Sequence, residues 1–239
     1  MSLATQPTLV GRAATHRWRP GLADARHSEI FANSDEASGA AAALAFALDR
    51  LHAAENNTGE RSLLWVQDRT ALRLSGRPYR PGLPAELRGR MVHVLARTPE
   101  DALFALEEGV RCRELACVIG EIAGNPKALD FTASRRLTLA AERHGVPLFL
   151  VRLDAARDLS SARMRWQVAA APSPAPRWNV AAPGIPSWRA ELFRARAHPP
   201  GEWILRDDGK LLAVEPPQAG APDHGDLADA AGGRSLATS

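Results

Sequence analysis

Cysteine, lysine and long apolar runs are scarce in this chain of 239 residues, and each shortage excludes a class of protein. Cys112 and Cys117 are too few for a disulfide framework or a cysteine-based zinc site, which favours a reducing, cytoplasmic location. No run approaches the roughly 18 apolar residues of a membrane helix, and residues 1–20 lack the apolar centre of a secretory signal. The seven histidines are scattered without metal-ligand spacing, so no metal site is expected.

Charge is spread unevenly along the chain. Lys127 and Lys210 are the only lysines, so 28 of the 30 basic residues are arginine, while the net charge is only +3. Residues 1–26 carry four arginines against one aspartate, and residues 215–239 carry four acids against one arginine. Neither end shows the periodicity of a packed element. We therefore predict a flexible basic arm at 1–26, one domain at 27–214 and a disordered acidic tail at 215–239.

Between these ends, short apolar runs alternate with amphipathic segments. The runs typical of buried parallel strands lie at 28–31, 62–66, 91–96, 115–122 and 146–153. The predicted helices lie at 40–51, 99–110 and 130–144, and a loop rich in Pro, Gly and Arg lies at 76–90. This alternation predicts an α/β fold with a largely parallel sheet flanked by helices.

Local signals support the helix ends and the C-terminal strands. Thr98 and Pro99 are typical of a helix start, and Gly145 is typical of a helix end. Extended segments separated by Pro-rich turns follow residue 165, and Asp208-Gly209 is a typical hairpin turn. We therefore expect antiparallel strands at one edge of the sheet.

Several segments resemble the core of the RecA ATPases. HSEIFA (27–32) with the small-residue loop and Ala-rich helix after it resembles the first strand, phosphate loop and first helix, and LACVIGEI (115–122) resembles the Walker B strand. With PSWRAELFRARAHPPGEW (186–203) near the C-terminus, the chain is similar to the bacterial ImuA family, a RecA/SulA-like group encoded with damage-induced translesion synthesis factors. The resemblance covers residues 27–207 and implies a RecA-like core.

The phosphate loop implied by this resemblance is degenerate. A working loop reads G-x-x-x-x-G-K-[ST], because backbone N–H groups surround the phosphate, Lys reaches it and Ser/Thr holds magnesium. The matching stretch contains Ser34 and Gly39, but Ala40 and Ala41 occupy the Lys and Thr positions. We expect no nucleotide cofactor, no metal and no catalysis.

The acids of a RecA-type site also fail to match. Gly120 stands at the position of the Walker B aspartate, with Glu121 one residue further on, and Arg69 stands where an acid would activate water. Because neighbouring strand residues face opposite ways, we interpret Glu121 as a hydrogen-bonded structural acid.

The C-terminal third is rich in arginine and tryptophan, which can hold phosphates and stack on bases. The candidate partner or DNA surface comprises Arg163, Arg165, Trp188, Arg189, Arg194, Arg196 and Trp203. In the alternative that we favour, these residues alternate on strands, with Trp buried and Arg solvated. A protein partner is preferred over DNA, for which we expect weak or indirect contact.

The resemblance implies a non-catalytic adaptor in SOS mutagenesis. Its expected partners are an ImuB-like Y-family polymerase homologue, an error-prone replicative-type DNA polymerase and RecA. Two alternatives stay open: a SulA-like inhibitor of cell division that binds a tubulin-like protein, and a nucleotide-dependent DNA-binding ATPase.

Overall fold

The computed structural model describes residues 25–53, 61–176, 178–179, 182–207 and 212–215. The predicted arm at 1–26 and tail at 215–239 lie almost wholly outside these residues, as does the Asp208-Gly209 turn. Within the described part of the chain, no helix is both long and apolar enough to cross a membrane.

The secondary structure alternates as the sequence predicts. The strands are β1 (His27–Ala32), β2 (Ser62–Asp68), β3 (Met91–Ala96), β4 (Leu115–Ala123), β5 (Leu148–Leu153), β6 (Met164–Ala170), β7 (Ser187–Ala195), β8 (Gly201–Asp207) and β9 (Leu212–Glu215). The helices are α1 (Ser38–Ala53), α2 (Arg69–Ser75), α3 (Ala85–Arg88), α4 (Pro99–Arg111) and α5 (Phe131–His144), with a 3-10 turn at Arg80–Gly82.

All strands join one sheet in the order β3-β2-β4-β5-β1-β6-β7-β8-β9. The pairs from β3 to β6 are parallel, and those from β6 to β9 are antiparallel. The predicted fold class is therefore confirmed: α/β, largely parallel, with antiparallel strands at the C-terminal edge.

The helix ends follow local capping chemistry. Thr98 accepts the backbone N–H of Asp101 at 3.1 Å in front of α4, and Gly145 ends α5 with a left-handed φ of 74°. The segment at 76–90 is not wholly a loop, because it contains the 3-10 turn and α3. These pieces are too short to produce a helical period in the sequence.

Both faces of the sheet are covered by helices. Along β4, Cys117 and Ile119 join the core beneath α1, whereas Val118 and Ile122 join the core beneath α4 and α5. Burial on both faces explains why this strand is apolar at nearly every position.

Helix α1 approaches the sheet very closely at Gly39. A β-carbon at this position would lie 2.8 Å from Ala32 Cβ and 2.9 Å from Val151 Cγ1. The close packing of α1 on β1 and β5 is therefore sufficient by itself to explain a glycine at position 39.

We expect Gly39→Ala to lower the free energy of unfolding by about 1–3 kcal/mol, because the added methyl group overpacks this contact. The urea midpoint measures the effect. Gly89→Ala is the control, since a β-carbon there has nothing within 4 Å and φ is −89°, and its effect should stay below about 1 kcal/mol. Equal midpoints for the two variants would contradict the close approach.

Candidate functional site

A cleft of about 180 Å³ opens at the carboxyl edge of the parallel strands. The start of α1 forms one wall, residues 75–83 form the other, and Trp65, Glu121 and Leu153 lie between them. Ligands of open α/β sheets bind at this edge, and the resemblance places the degenerate phosphate loop here. The cleft is therefore the candidate site.

Carboxylates of the chain itself hold the loop between β1 and α1. The backbone N–H of Ser34 donates to Asp154 Oδ1 at 2.9 Å, and hydrogen bonding from Ser34 lowers the pKa of Asp154. Glu36 accepts the Ala170 backbone N–H at 2.9 Å and the Ser38 hydroxyl at 2.7 Å. In a working phosphate loop the backbone N–H groups face the ligand. In the loop between β1 and α1, the Ser34 N–H is already bound to Asp154, and Glu36 adds negative charge.

Ala40 and Ala41 lie in the first turn of α1, where both line the cleft. They are half-buried and pack against the core beneath α1. Their methyl groups supply neither an ammonium group for phosphate nor a hydroxyl for magnesium.

Glu121, and not Gly120, is the β4 residue that faces the cleft, so the Walker B comparison at Gly120 concerns the opposite face of the strand. A β-carbon at Gly120 would lie 2.7 Å from Leu106 Cδ2, so position 120 faces α4. Glu121 lines the cleft on the side of α1. Because β4 is buried on both faces, its apolar pattern does not reveal which face borders the site.

Glu121 is 1% exposed and is hydrogen-bonded by three side chains. Its carboxylate accepts Trp65 Nε1 at 2.6 Å, Ser75 Oγ at 2.7 Å and Gln67 Nε2 at 3.1 Å. Burial raises the pKa of Glu121, although these hydrogen bonds oppose the shift. Gln67 Oε1 also lies 2.9 Å from His93 Nε2, which links the cleft to β3. This geometry fits the interpretation of Glu121 as a structural acid.

Asp68 is a second buried acid, one residue before the Arg69 used in the sequence comparison. Its carboxylate accepts the backbone N–H of Ala71 at 2.6 Å and that of Ala123 at 3.3 Å. Asp68 therefore caps α2 and ties it to β4, while Arg69 is exposed. An aspartate two residues after an apolar run is a helix-start signal that the sequence already contained.

The residues predicted to form a partner or DNA surface do not share one surface. Arg165 and Trp188 are only 3% and 4% exposed, so their assignment to a surface is wrong. Trp203 is half-buried, with its ring 6.0 Å from that of Trp166. The favoured alternative, with Trp buried and Arg solvated, holds for Trp166 and Trp188. It fails for Arg165, which is buried, and for Trp178, which is 80% exposed.

The other four residues of that set are arginines nearer the surface. Arg163 pairs with Glu142, and the exposed Arg189 lies 3.4 Å from Glu202. Arg194 and Arg196 are exposed.

Arg165 is buried because it neutralises Glu29 on the neighbouring strand. Arg165 Nε lies 2.7 Å from Glu29 Oε2, and Arg152 Nη1 lies 3.9 Å from Glu29 Oε1. Ser160 Oγ donates to Glu29 Oε1 at 2.7 Å, and Asp158 lies 3.5 Å from Arg152. Glu29 lies more than 120 residues from Arg152, Ser160 and Arg165 in sequence, so no local pattern could reveal these partners.

The segments that follow β4 and β5 are hydrogen-bonded to each other. Asn125 Nδ2 donates to Asp158 Oδ2 at 2.8 Å and to the Ala156 carbonyl at 3.1 Å, and the Ala156 N–H donates back to Asn125 Oδ1 at 2.7 Å. Arg152 also donates to the Gly124 carbonyl at 3.1 Å. These contacts fasten the two segments together.

Comparison with known proteins identifies the relatives of this chain. No family model matches it. Proteins named Protein ImuA from two strains of Caulobacter vibrioides are 32% identical over 195 residues, which covers 75% of this chain and 73% of each relative. The chain belongs to the ImuA family. The resemblance to the ImuA family drawn from the sequence is thereby confirmed.

We expect Glu121→Gln to become more stable relative to the wild type as the pH rises. The pKa of Glu121 is raised in the folded state, so ionisation favours unfolding, and stability falls as pH rises from the unfolded to the folded pKa. Glutamine can retain the bonds to Trp65 and Ser75 without titrating. Urea unfolding of both proteins between about pH 4.5 and 8 tests this prediction. If Glu121→Gln instead becomes less stable than the wild type by an amount that grows with pH, the ionised carboxylate stabilises the fold.

We expect Arg165→Ala to lower the free energy of unfolding by about 3–5 kcal/mol, because it leaves the buried Glu29 without its nearest cation. Arg189→Ala is the matched control. Its ion pair is exposed, so the loss should stay below about 1 kcal/mol. Similar urea midpoints would contradict the burial of Arg165.

Proposed function

We propose that this chain is a non-catalytic adaptor in damage-induced translesion DNA synthesis. Membership of the ImuA family supports a role in damage-induced mutagenesis. The proposed partners are an ImuB-like Y-family polymerase homologue and an error-prone replicative-type polymerase, with RecA as a further candidate. The chain acts through its surface and needs no nucleotide.

The observation that carries this proposal is the carboxylate-bound loop between β1 and α1. Asp154 already accepts the Ser34 N–H at 2.9 Å, and Glu36 is fixed beside it by the Ala170 N–H. A nucleotide phosphate entering this loop would have to displace one carboxylate and approach a second. Repulsion between like charges makes such a site a poor anion receptor.

The rest of the cleft adds little to attract a phosphate. Among the residues that line it, Arg77 is the single cation, and it stands on the wall opposite the loop. Glu36 and Glu121 lie in the same lining, and Ala40 and Ala41 present methyl groups. This balance of charge favours a function that does not use the cleft.

We expect no measurable binding of Mg-ATP in equilibrium dialysis at nucleotide concentrations up to about 1 mM, the upper end of typical substrate affinities. Saturable binding below that concentration would contradict a nucleotide-independent role.

Blocking the cleft should not affect function in cells. Ala37 is exposed and lines the cleft, so Ala37→Trp narrows the entrance without entering the core. In a strain deleted for this gene, Ala37→Trp should restore damage-induced mutation frequency as well as the wild type and the matched control Ala37→Ser. If the Ala37→Trp protein folds stably but fails to complement, while Ala37→Ser complements, the proposal is contradicted.

Partner contact is tested by size-exclusion chromatography of the purified chain mixed with each proposed partner. Co-elution with the ImuB-like protein or with RecA is expected. Separate elution from every one of them would contradict the adaptor role.

A further inference from the structure

A strongly basic segment lies on the opposite part of the sheet from the predicted C-terminal surface. Residues 69–97 contain seven arginines and one glutamate, a net charge of +6, whereas the whole chain is +3, so the other 210 residues are net −3. We call these arginines the arginine edge. They are Arg69, Arg73, Arg77, Arg80, Arg88, Arg90 and Arg97.

The arginine edge lacks the carboxylate partners that other arginines have. Arg163, Arg165 and Arg157 each form an ion pair, the last with Glu191 at 2.7 Å. No ion pair joins any member of the arginine edge to a carboxylate among the residues that the structure describes. Six of the seven side chains are exposed and Arg90 is half-buried. The positive charge is therefore available to a ligand.

Five of these arginines lie near β3, the outermost parallel strand. Arg90 and Arg97 flank the strand directly, so they lie about 20 Å apart. Arg80 Nη2 donates to the Met91 carbonyl at 3.2 Å. Burial lowers the pKa of His93 in the middle of the strand, and the charges of Arg77 and Arg80 lower it further. The charge thus forms a row rather than a single point.

Two further features suit a polymer that carries both phosphates and flat apolar groups. Arg69 and Arg97 line a hollow of about 420 Å³ together with Leu95. Tyr79, which lies at the rim of the cleft on the wall formed by residues 75–83, is 74% exposed, and Leu74 and Leu95 are 42% and 40% exposed. Arginines bind phosphates in a fixed planar geometry, and exposed aromatic rings stack on unpaired bases.

We propose that the arginine edge binds single-stranded nucleic acid, with the arginines along β3 contacting its phosphates and Tyr79 stacking on a base. An acidic protein segment is the competing ligand, but it would use the charge and leave the exposed ring without a specific role. This site is separate from the segments after β4 and β5, which Asn125 fastens together. Nucleic-acid binding by the arginine edge is also independent of the proposed adaptor role, because that role is tested with protein partners.

The test measures fluorescence anisotropy of a labelled oligothymidylate of about 20 nucleotides with the full chain at about 50 mM salt. Arg73→Glu/Arg97→Glu should lower the affinity roughly tenfold or more and flatten its dependence on salt. The matched control Arg194→Glu/Arg196→Glu makes the same charge change on the surface predicted from the sequence. It should stay within about twofold. Tyr79→Ala should lower the affinity about fivefold or more.

Several outcomes would overturn the proposal. The first is that the wild type does not bind the oligonucleotide, and the second is that the control variant loses as much affinity as Arg73→Glu/Arg97→Glu. The third is that polyglutamate at the same charge concentration displaces the oligonucleotide while Tyr79→Ala has no effect on affinity. The last would assign the surface to an acidic protein. Equal affinity for duplex DNA and a silent Tyr79→Ala would exclude base stacking. Arg73→Gln/Arg97→Gln, with circular dichroism and urea midpoints for every variant, separates lost contacts from lost folding.

Discussion

The neutralisation of Glu29 is the interaction on which the arrangement of the sheet depends. Glu29 lies on β1, between β5 and β6, and it is completely buried. Arg165 on β6 and Arg152 on β5 reach it from either side. A buried carboxylate is tolerated only when it is paired and hydrogen-bonded. The same contacts therefore join the parallel half of the sheet to β6, on which all the antiparallel strands are built.

Much of the architecture could be predicted because continuous apolar runs and capping residues act locally. The runs at 91–96 and 115–122 match β3 and nearly all of β4, and Thr98 and Gly145 mark helix ends as expected. The sequence could not predict which side chains of β4 face the cleft. A strand buried on both sides is apolar at odd and even positions alike, so the choice between Gly120 and Glu121 had no signal in the pattern.

The surface was harder to predict than the core, because the fate of a charged side chain depends on residues distant in sequence. The sequence predicts Arg165 on a surface. The side chain is buried because it pairs with Glu29, which lies 136 residues away in sequence. The segment at 76–90 is rich in arginine, but the sequence could not show that no described carboxylate forms an ion pair with these side chains. The absence of Lys at Ala40 was visible from the start; the internal carboxylates of the loop, Glu36 and Asp154, became visible only in three dimensions.

Strand β3 is also an open edge, since among the described residues it pairs with β2 alone. Exposed edge strands offer unpaired backbone groups that invite another sheet to add on and grow into aggregates. A second copy approaching this edge would bring one row of guanidinium groups against another. Mutual repulsion between the two rows would oppose pairing of two sheets along β3.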